Sequence, residues 1–222
     1  MSGNIMYKRI FQLAVLILIS FNVMAADFST PTARVKDSVD RVITILKDQT
    51  LDRDAKWEQI ATVIRQGFDF RSMSQSVLAT NWRKASPEEQ ERFTEFFSQY
   101  IEETYRAKIE AYTDETVEYR KETIKGNRAV VETVIVTSST EIPVNFKLRQ
   151  DDGQWYAYDV VIEGISLVSN YRATFAAIVK NEGMDGLLNN IQKRIDKYKA
   201  EQAEKGKGGS TEKPAAEDAG NG

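Results

Sequence analysis

The chain has no cysteine and no histidine in 222 residues. Without cysteine there are no disulfides, so stability must come from a packed core. Without histidine there is no Ser-His-Asp or Cys-His nucleophile system of the usual kind. Zinc sites built on histidine or cysteine are excluded too. Carboxylate, lysine or tyrosine chemistry stays open, so an enzyme is disfavoured and no metal or cofactor is expected. The chain also lacks a surplus of positive charge. Its formal net charge is −3, which argues against nucleic acid as a partner and against adsorption to anionic lipid by charge alone.

What is present at the start is an export signal. Lys8 and Arg9 form a positive region, and Ile10 to Phe21 is apolar except for Gln12 and Ser20. Val23-Met24-Ala25 supplies suitable residues for cleavage after Ala25, with Ala26 as the alternative. The apolar run is shorter than the ~20 residues a membrane span needs. No cysteine follows it, so the signal is not of the lipoprotein type. Residues 1–25 are read as a signal peptide, 26–200 as one α+β domain and 201–222 as a disordered tail. Loss of the leader moves the formal charge from −3 to −5, because it carries Lys8 and Arg9 and no acid. The tail is poor in apolar residues and cannot offset its ordering entropy.

The domain opens with helices. Thr30 and Pro31 read as N-cap and N1, followed by Val35, Val39, Val42, Ile43 and Leu46 on one face. Thr50 and Asp52 open a second helix carrying Trp57, Ile60, Ile64 and Phe68. Residues 70–79 form a short third. Ser86-Pro87-Glu88-Glu89 is a capping box. It starts a helix of about seven turns with Phe93, Phe96, Phe97, Tyr100, Ile101, Tyr105, Ile109 and Tyr112 along one side. Glu91, Arg92, Glu95, Glu102 and Glu103 fall mostly on the other.

The period then changes from helical to alternating. Strands are expected from Val117, from Ala129 to Thr137, from Ile142 to Arg149 and from Trp155 to Ile162. Gly126-Asn127, Ser138-Ser139-Thr140 and Asp151-Asp152-Gly153 are the turns. Three short connections imply an antiparallel four-stranded meander. Two helices broken at Gly183 close the domain, the first bearing Leu167, Tyr171 and Phe175, the second Leu187, Leu188, Ile191 and Ile195. The expected fold is α+β, with a curved four-stranded antiparallel sheet and about six helices around an apolar pocket.

Three blocks carry a family likeness. They are Asn81-Trp82-Arg83-Lys84-Ala85-Ser86-Pro87-Glu88-Glu89, Trp155 to Val160 followed by Glu163-Gly164-Ile165-Ser166-Leu167, and Asn181 to Leu188. In this order, behind a signal peptide, the chain resembles the MlaC family, also called the toluene-tolerance or ABC-transporter auxiliary family. The likeness covers about residues 28–198. The acidic tail after Glu201 is not part of the pattern. The resemblance implies a cone like that of nuclear-transport-factor-2-like proteins, periplasmic location and phospholipid as the bound ligand. It implies shuttling of phospholipid that maintains outer-membrane lipid asymmetry. The implied partners are an outer-membrane lipoprotein–porin complex and an inner-membrane complex of an MCE-type protein with an ABC transporter.

Within such a fold the expected acyl-chain contacts are Phe97, Ile101 and Tyr105 from the aromatic helix, Val134, Val144, Phe146, Tyr158 and Val160 from the sheet, and Phe175 from the last helices. Asp159 alternates with Tyr158 and Val160 and is expected on the opposite face or hydrogen-bonded, not as a general base. Arg83, Lys84 and Arg92 are expected on a solvated face. The rival readings are a lipoprotein carrier or chaperone and an enzyme on the same cone.

Overall fold

The computed structural model describes residues 30–112 and 115–207. The expected signal peptide and most of the expected tail lie outside these residues. Each early helix begins where its cap residue places it. The Thr30 Oγ1 accepts from the Ala33 N–H at 3.1 Å and opens α1, Pro31–Lys47. The Asp52 carboxylate accepts from Ala55 at 2.8 Å and opens α2, Arg53–Gly67. Asp69 does the same for Ser72 at 2.9 Å at the head of α3, Phe70–Leu78. A single 3₁₀ turn follows at Ala79–Asn81. Ser86 and Glu89 form the reciprocal capping box at 2.7 and 3.1 Å, and α4 runs from Pro87 to Glu110. Each cap satisfies an N–H that the helix itself leaves without a partner.

The sheet is a meander in the order β1-β2-β3-β4-β5, antiparallel throughout. Its strands are β1 Thr116–Lys125, β2 Arg128–Val136, β3 Glu141–Asp151, β4 Gln154–Ile162 and β5 Ile165–Ser166. The fifth strand corrects the expected four. Glu163 and Gly164 both take positive φ, 49° and 84°, which makes the tight two-residue hairpin turn that lets Ile165 pair back on Ile162. The strand is only two residues long because α5, Leu167–Lys207, begins at once.

The two expected closing helices are one element with an internal break. Gly183 has φ 72° and ψ −174°, a left-handed value that an L side chain adopts at a cost. The helix stops there and resumes. Among the described residues the helix count is therefore five, or six segments if the break is counted.

Two apolar clusters form the core. The larger joins α3, Trp82, α4 and α5 to Val144 and Val160 of the sheet. The smaller joins Val35 of α1 to Ala129, Val131, Leu148, Trp155 and Ala157. The pairing Ala129↔Leu148, Val131↔Phe146, Thr133↔Val144 and Phe146↔Val160 puts the sheet residues of both clusters on one face. Opposed residues point to the same side of an antiparallel pair. Phe68 and Phe146 touch both clusters. The α2–α3 junction also pairs with the free edge of β4, through a parallel bridge between Phe68 and Ala157 and an Asp69 N–H to Ala157 carbonyl bond of 2.8 Å.

Candidate functional site

The larger cluster is the candidate ligand site. α4 contributes Phe93 and Phe97, stacked at 5.6 Å between ring centres. α5 presents Tyr171 and Phe175 edge-on to Phe97, at 5.7 and 6.1 Å. Tyr100 meets Tyr171 at 5.5 Å and Tyr198 at 6.1 Å. These offset and edge-to-face pairings are the arrangements that ring quadrupoles favour. Facing them, Ile142, Val144, Phe146, Val160 and Ile162 share one side of the sheet through the strand register.

The nine residues expected from sequence divide into three groups. Phe97, Ile101, Val144, Val160 and Phe175 are buried within the larger cluster. Tyr105, Phe146 and Tyr158 pack on it while half-buried. Val134 lies apart, which corrects its assignment. It pairs with Pro143, while its neighbours Thr133 and Ile135 pair with the inward-facing Val144 and Ile142. A one-residue step along a strand turns the side chain to the other face. β2 is apolar on both sides, so its alternation carried no phase.

At the centre of the expected pocket the rings of Phe93, Phe97, Tyr171 and Phe175 pack closely. Phe97 is fully buried. A cavity of about 370 Å³ lies instead at the corner of α1, α2 and α4, between Leu46, Leu51, Trp57, Ile60 and Tyr112. A smaller one, about 140 Å³, lies beside α3 and the sheet. The larger cluster has a different asset, a margin of half-buried apolar groups. Ile135, Ile142, Ile162, Ile178, Val179 and Met184 belong to it.

The polar groups near this cluster are settled. Burial pushes the Tyr105 phenol up to about 12 and raises that of Tyr171 further, so both are neutral at physiological pH. Asp159 is 3 % exposed. It accepts from Lys147 Nζ at 2.9 Å, Ser166 Oγ at 2.7 Å and the Val168 N–H at 3.2 Å. It pairs across the sheet with Lys147, on the side opposite Val160. Its role is to hold the first turn of α5 against β4. A bulge at Tyr158, where Ala157 and Asp159 oppose the consecutive Leu148 and Lys147, breaks the strict alternation that sequence suggested. Arg83, Lys84 and Arg92 are exposed, as expected.

One side of α4 departs from expectation. Glu102 and Glu103 are buried, because α2 and the end of α5 cover them. Glu102 is held by Arg65 at 2.7 Å, yet burial raises its carboxyl to about 7. Burial raises Glu103 too. Arg106, itself buried, bridges Asp54 at 2.7 Å and Glu110 at 2.8 Å, and its guanidinium lies 5.1 Å over the Trp57 ring. Arg53 adds bonds to Glu110 at 2.7 Å and to the Gln202 carbonyl at 2.8 Å. Spacing placed Glu102 and Glu103 only on the side of α4 away from its aromatic face. The helices packed on them bury Glu102, Glu103 and Arg106, while the partners Asp54 and Arg65 stay on the solvent side.

Comparison with known proteins agrees with this architecture. The family model described as "MlaC protein" matches residues 36–193. The intermembrane phospholipid transport system binding protein MlaC of Haemophilus influenzae is 22% identical over 200 residues, 85% of this chain and 94% of that protein. The toluene tolerance protein ttg2D of Pseudomonas putida is 24% identical over 195 residues, 84% of this chain and 88% of that protein. The solved phospholipid-binding protein of Ralstonia solanacearum, determined in complex with a phospholipid, superposes with a TM-score of 0.69 at 24% identity. It covers 75% of this chain and 97% of that one. The matched span exceeds half the sequence, and the chain belongs to the MlaC family.

Proposed function

Taking that membership as the premise, we propose that the protein is a periplasmic phospholipid carrier. The acyl chains enter between α4, α5 and the inward face of β2, β3 and β4. The observation that carries the reading is the margin of the larger cluster. Tyr105, Ile142, Phe146, Tyr158, Ile162 and Ile178 are apolar, half-buried and supplied by both layers. An acyl chain that slides along them covers apolar surface already present. The closed packing of Phe97 and Phe175 then implies that loading moves the helices away from the sheet.

The energetics explain why a carrier is needed and what it cannot do. Two acyl chains hold on the order of 30 methylenes, and exposing them at about 0.8 kcal/mol each costs over roughly 20 kcal/mol. Transfer from a bilayer to an apolar site exchanges one hydrocarbon setting for another, so it has little intrinsic direction. Direction comes from the partners, which we place at an outer-membrane lipoprotein–porin complex and an inner-membrane MCE-protein and ABC-transporter complex. The name of the Haemophilus relative, an intermembrane phospholipid transport system binding protein, supports an intermembrane role.

The test is extraction and mass spectrometry of the protein purified from its own compartment. Phospholipid at a defined stoichiometry is the expected result. Protein recovered lipid-free, and unable to take up phospholipid from vesicles, overturns the proposal.

A further inference from the structure

A second group of residues lies beside the apolar site and shares only Tyr158 with it. The cavity of about 140 Å³ is lined by Ser72, Gln75 and Ser76 of α3, Arg128 of β2, Arg149 of β3 and Tyr158 of β4. It far exceeds the roughly 10–15 Å³ that one water occupies. Its lining holds hydroxyl, amide and guanidinium donors and no carboxylate.

The local charge is unbalanced. Arg149 is answered by Asp69 at 2.8 Å and Asp151 at 3.0 Å. Arg128 has no carboxylate partner among the described residues. Its guanidinium lies 5.4 Å above the Tyr158 ring. Arg172 of α5 reaches the same corner and donates to the Ser76 carbonyl at 2.8 Å, a neutral acceptor, and it too has no carboxylate within the described residues. The Arg128 guanidinium thus stands unmatched in the lining, and that of Arg172 lies near it on the Ser76 carbonyl. A guanidinium fork suits the oxygens of phosphate, and the hydroxyls of Ser72 and Ser76 supply further donors.

Tyr158 connects this pocket to the apolar site. The same side chain lines the cavity and packs on the larger cluster. Arg128 and Arg149 pair with each other on the sheet face opposite Ala129 and Leu148, so an amphiphile with its anion in the cavity would reach the half-buried margin past Tyr158 at the β4 bulge. Phosphate next to acyl chain is the layout of a phospholipid.

We propose that the pocket of Ser72, Gln75, Ser76, Arg128, Arg149 and Tyr158 is a phosphate-group site, with the phosphodiester of a bound lipid as its ligand. That a lipid supplies the phosphate rests on the carrier reading. That an oxyanion binds there does not.

The experiment uses the full mature chain as wild type, Arg128→Gln and Arg92→Gln. Arg92 is an exposed arginine over Phe96, so its variant removes the same charge away from the pocket. Each protein is loaded from phosphatidylglycerol vesicles. The phosphorus resonance of the bound lipid and its loss to phosphatidylcholine acceptor vesicles are measured. In parallel, lipid-free protein is titrated with inorganic phosphate, with the Tyr158 ring resonances as the readout. Arg128 is exposed at the start of β2, so the fold is expected to survive, and thermal melts check this.

The expected result is a moved phosphorus resonance and about fivefold faster loss for Arg128→Gln, the size of one charge-assisted hydrogen bond at an exposed site, with Arg92→Gln unchanged. Inorganic phosphate that saturates wild type but not Arg128→Gln, with lipid loss unaltered, keeps the oxyanion site and overturns the headgroup assignment. No change in either arm overturns the proposal. A chain that takes up no lipid overturns the carrier reading, and the phosphate titration then decides this site by itself.

Discussion

The two apolar clusters share one face of one sheet, yet they are built differently. Under α1 the contacts are Val35 with Ala129, Val131, Leu148, Trp155 and Ala157, all nearly closed to solvent. Under α4 and α5 the buried rings are larger, and a fringe of half-buried groups surrounds them. The α1 side carries a much narrower fringe, Val39, Phe68, Tyr119 and Phe146. Large rings between helices and sheet hold those layers apart. Interiors are close-packed and resist partial insertion, so a guest enters where apolar groups are already only half covered. We propose that the α1 side acts as scaffold and that the α4–α5 side is the part that opens.

Truncation at the two centres tests that contrast most strongly. Phe97→Ala should destabilise by about 3–5 kcal/mol and Leu148→Ala by about 2–5 kcal/mol, measured by denaturant unfolding. Lipid retained per folded molecule should fall for Phe97→Ala and stay unchanged for Leu148→Ala. Equal lipid loss in both erases the distinction between scaffold and site.

A charge placed on the fringe should separate binding from folding. Ile142 is half-buried beside Val144. Ile142→Glu should lower lipid recovered per folded protein at least severalfold, while stability drops by about 1–3 kcal/mol. A parallel collapse of folding yield and lipid would make Ile142 ordinary core.

A smaller effect concerns the far side of α4. The Glu102 carboxyl is raised to about 7 by burial, above its ordinary unfolded value. The folded chain therefore holds a proton that the unfolded chain has released between these two values. Stability from this group is complete below the unfolded pKa and is lost as pH rises towards 7. Glu102→Gln should flatten that decline by on the order of 1 kcal/mol, after allowance for Arg65 and solvent screening. Unfolding curves from about pH 4.5 to 7.5 measure it. An unaltered pH profile would show that Arg65 keeps Glu102 ionised throughout.

The smallest expected change is at the break in α5. Gly183 has open space where a Cβ would go, so only its φ of 72° resists substitution. Gly183→Ala should cost about 1–2 kcal/mol without altering lipid retention. A larger loss of lipid than of stability would mean that the break itself moves when the α4–α5 side opens.

Much of this architecture is legible in local residue patterns. Ser86 and Glu89 announce their capping box, and Thr30, Asp52 and Gly183 mark helix ends, because capping acts within a few residues. Five of the nine expected site residues lie buried in the larger cluster, since a long aromatic face has to be covered. Val134 was misplaced because a strand apolar on both sides does not reveal its inward face. The Tyr158 bulge and the two-residue β5 left no compositional trace. The arginine pocket was invisible because Ser72, Arg128, Arg149 and Tyr158 come from four elements and only meet through the fold.

By itself the sequence determined where the helices start and stop, which strands pair, and that the chain could rely on no disulfide, zinc or histidine chemistry. Those are consequences of local hydrogen bonding, periodicity and composition. Tertiary structure alone decided which face of β2 looks inward, that Glu102 and Arg106 are internal, and that one apolar cluster keeps a far wider half-buried margin than the other. Burial depends on what packs from distant parts of the chain, and no window of sequence contains its own neighbours in space.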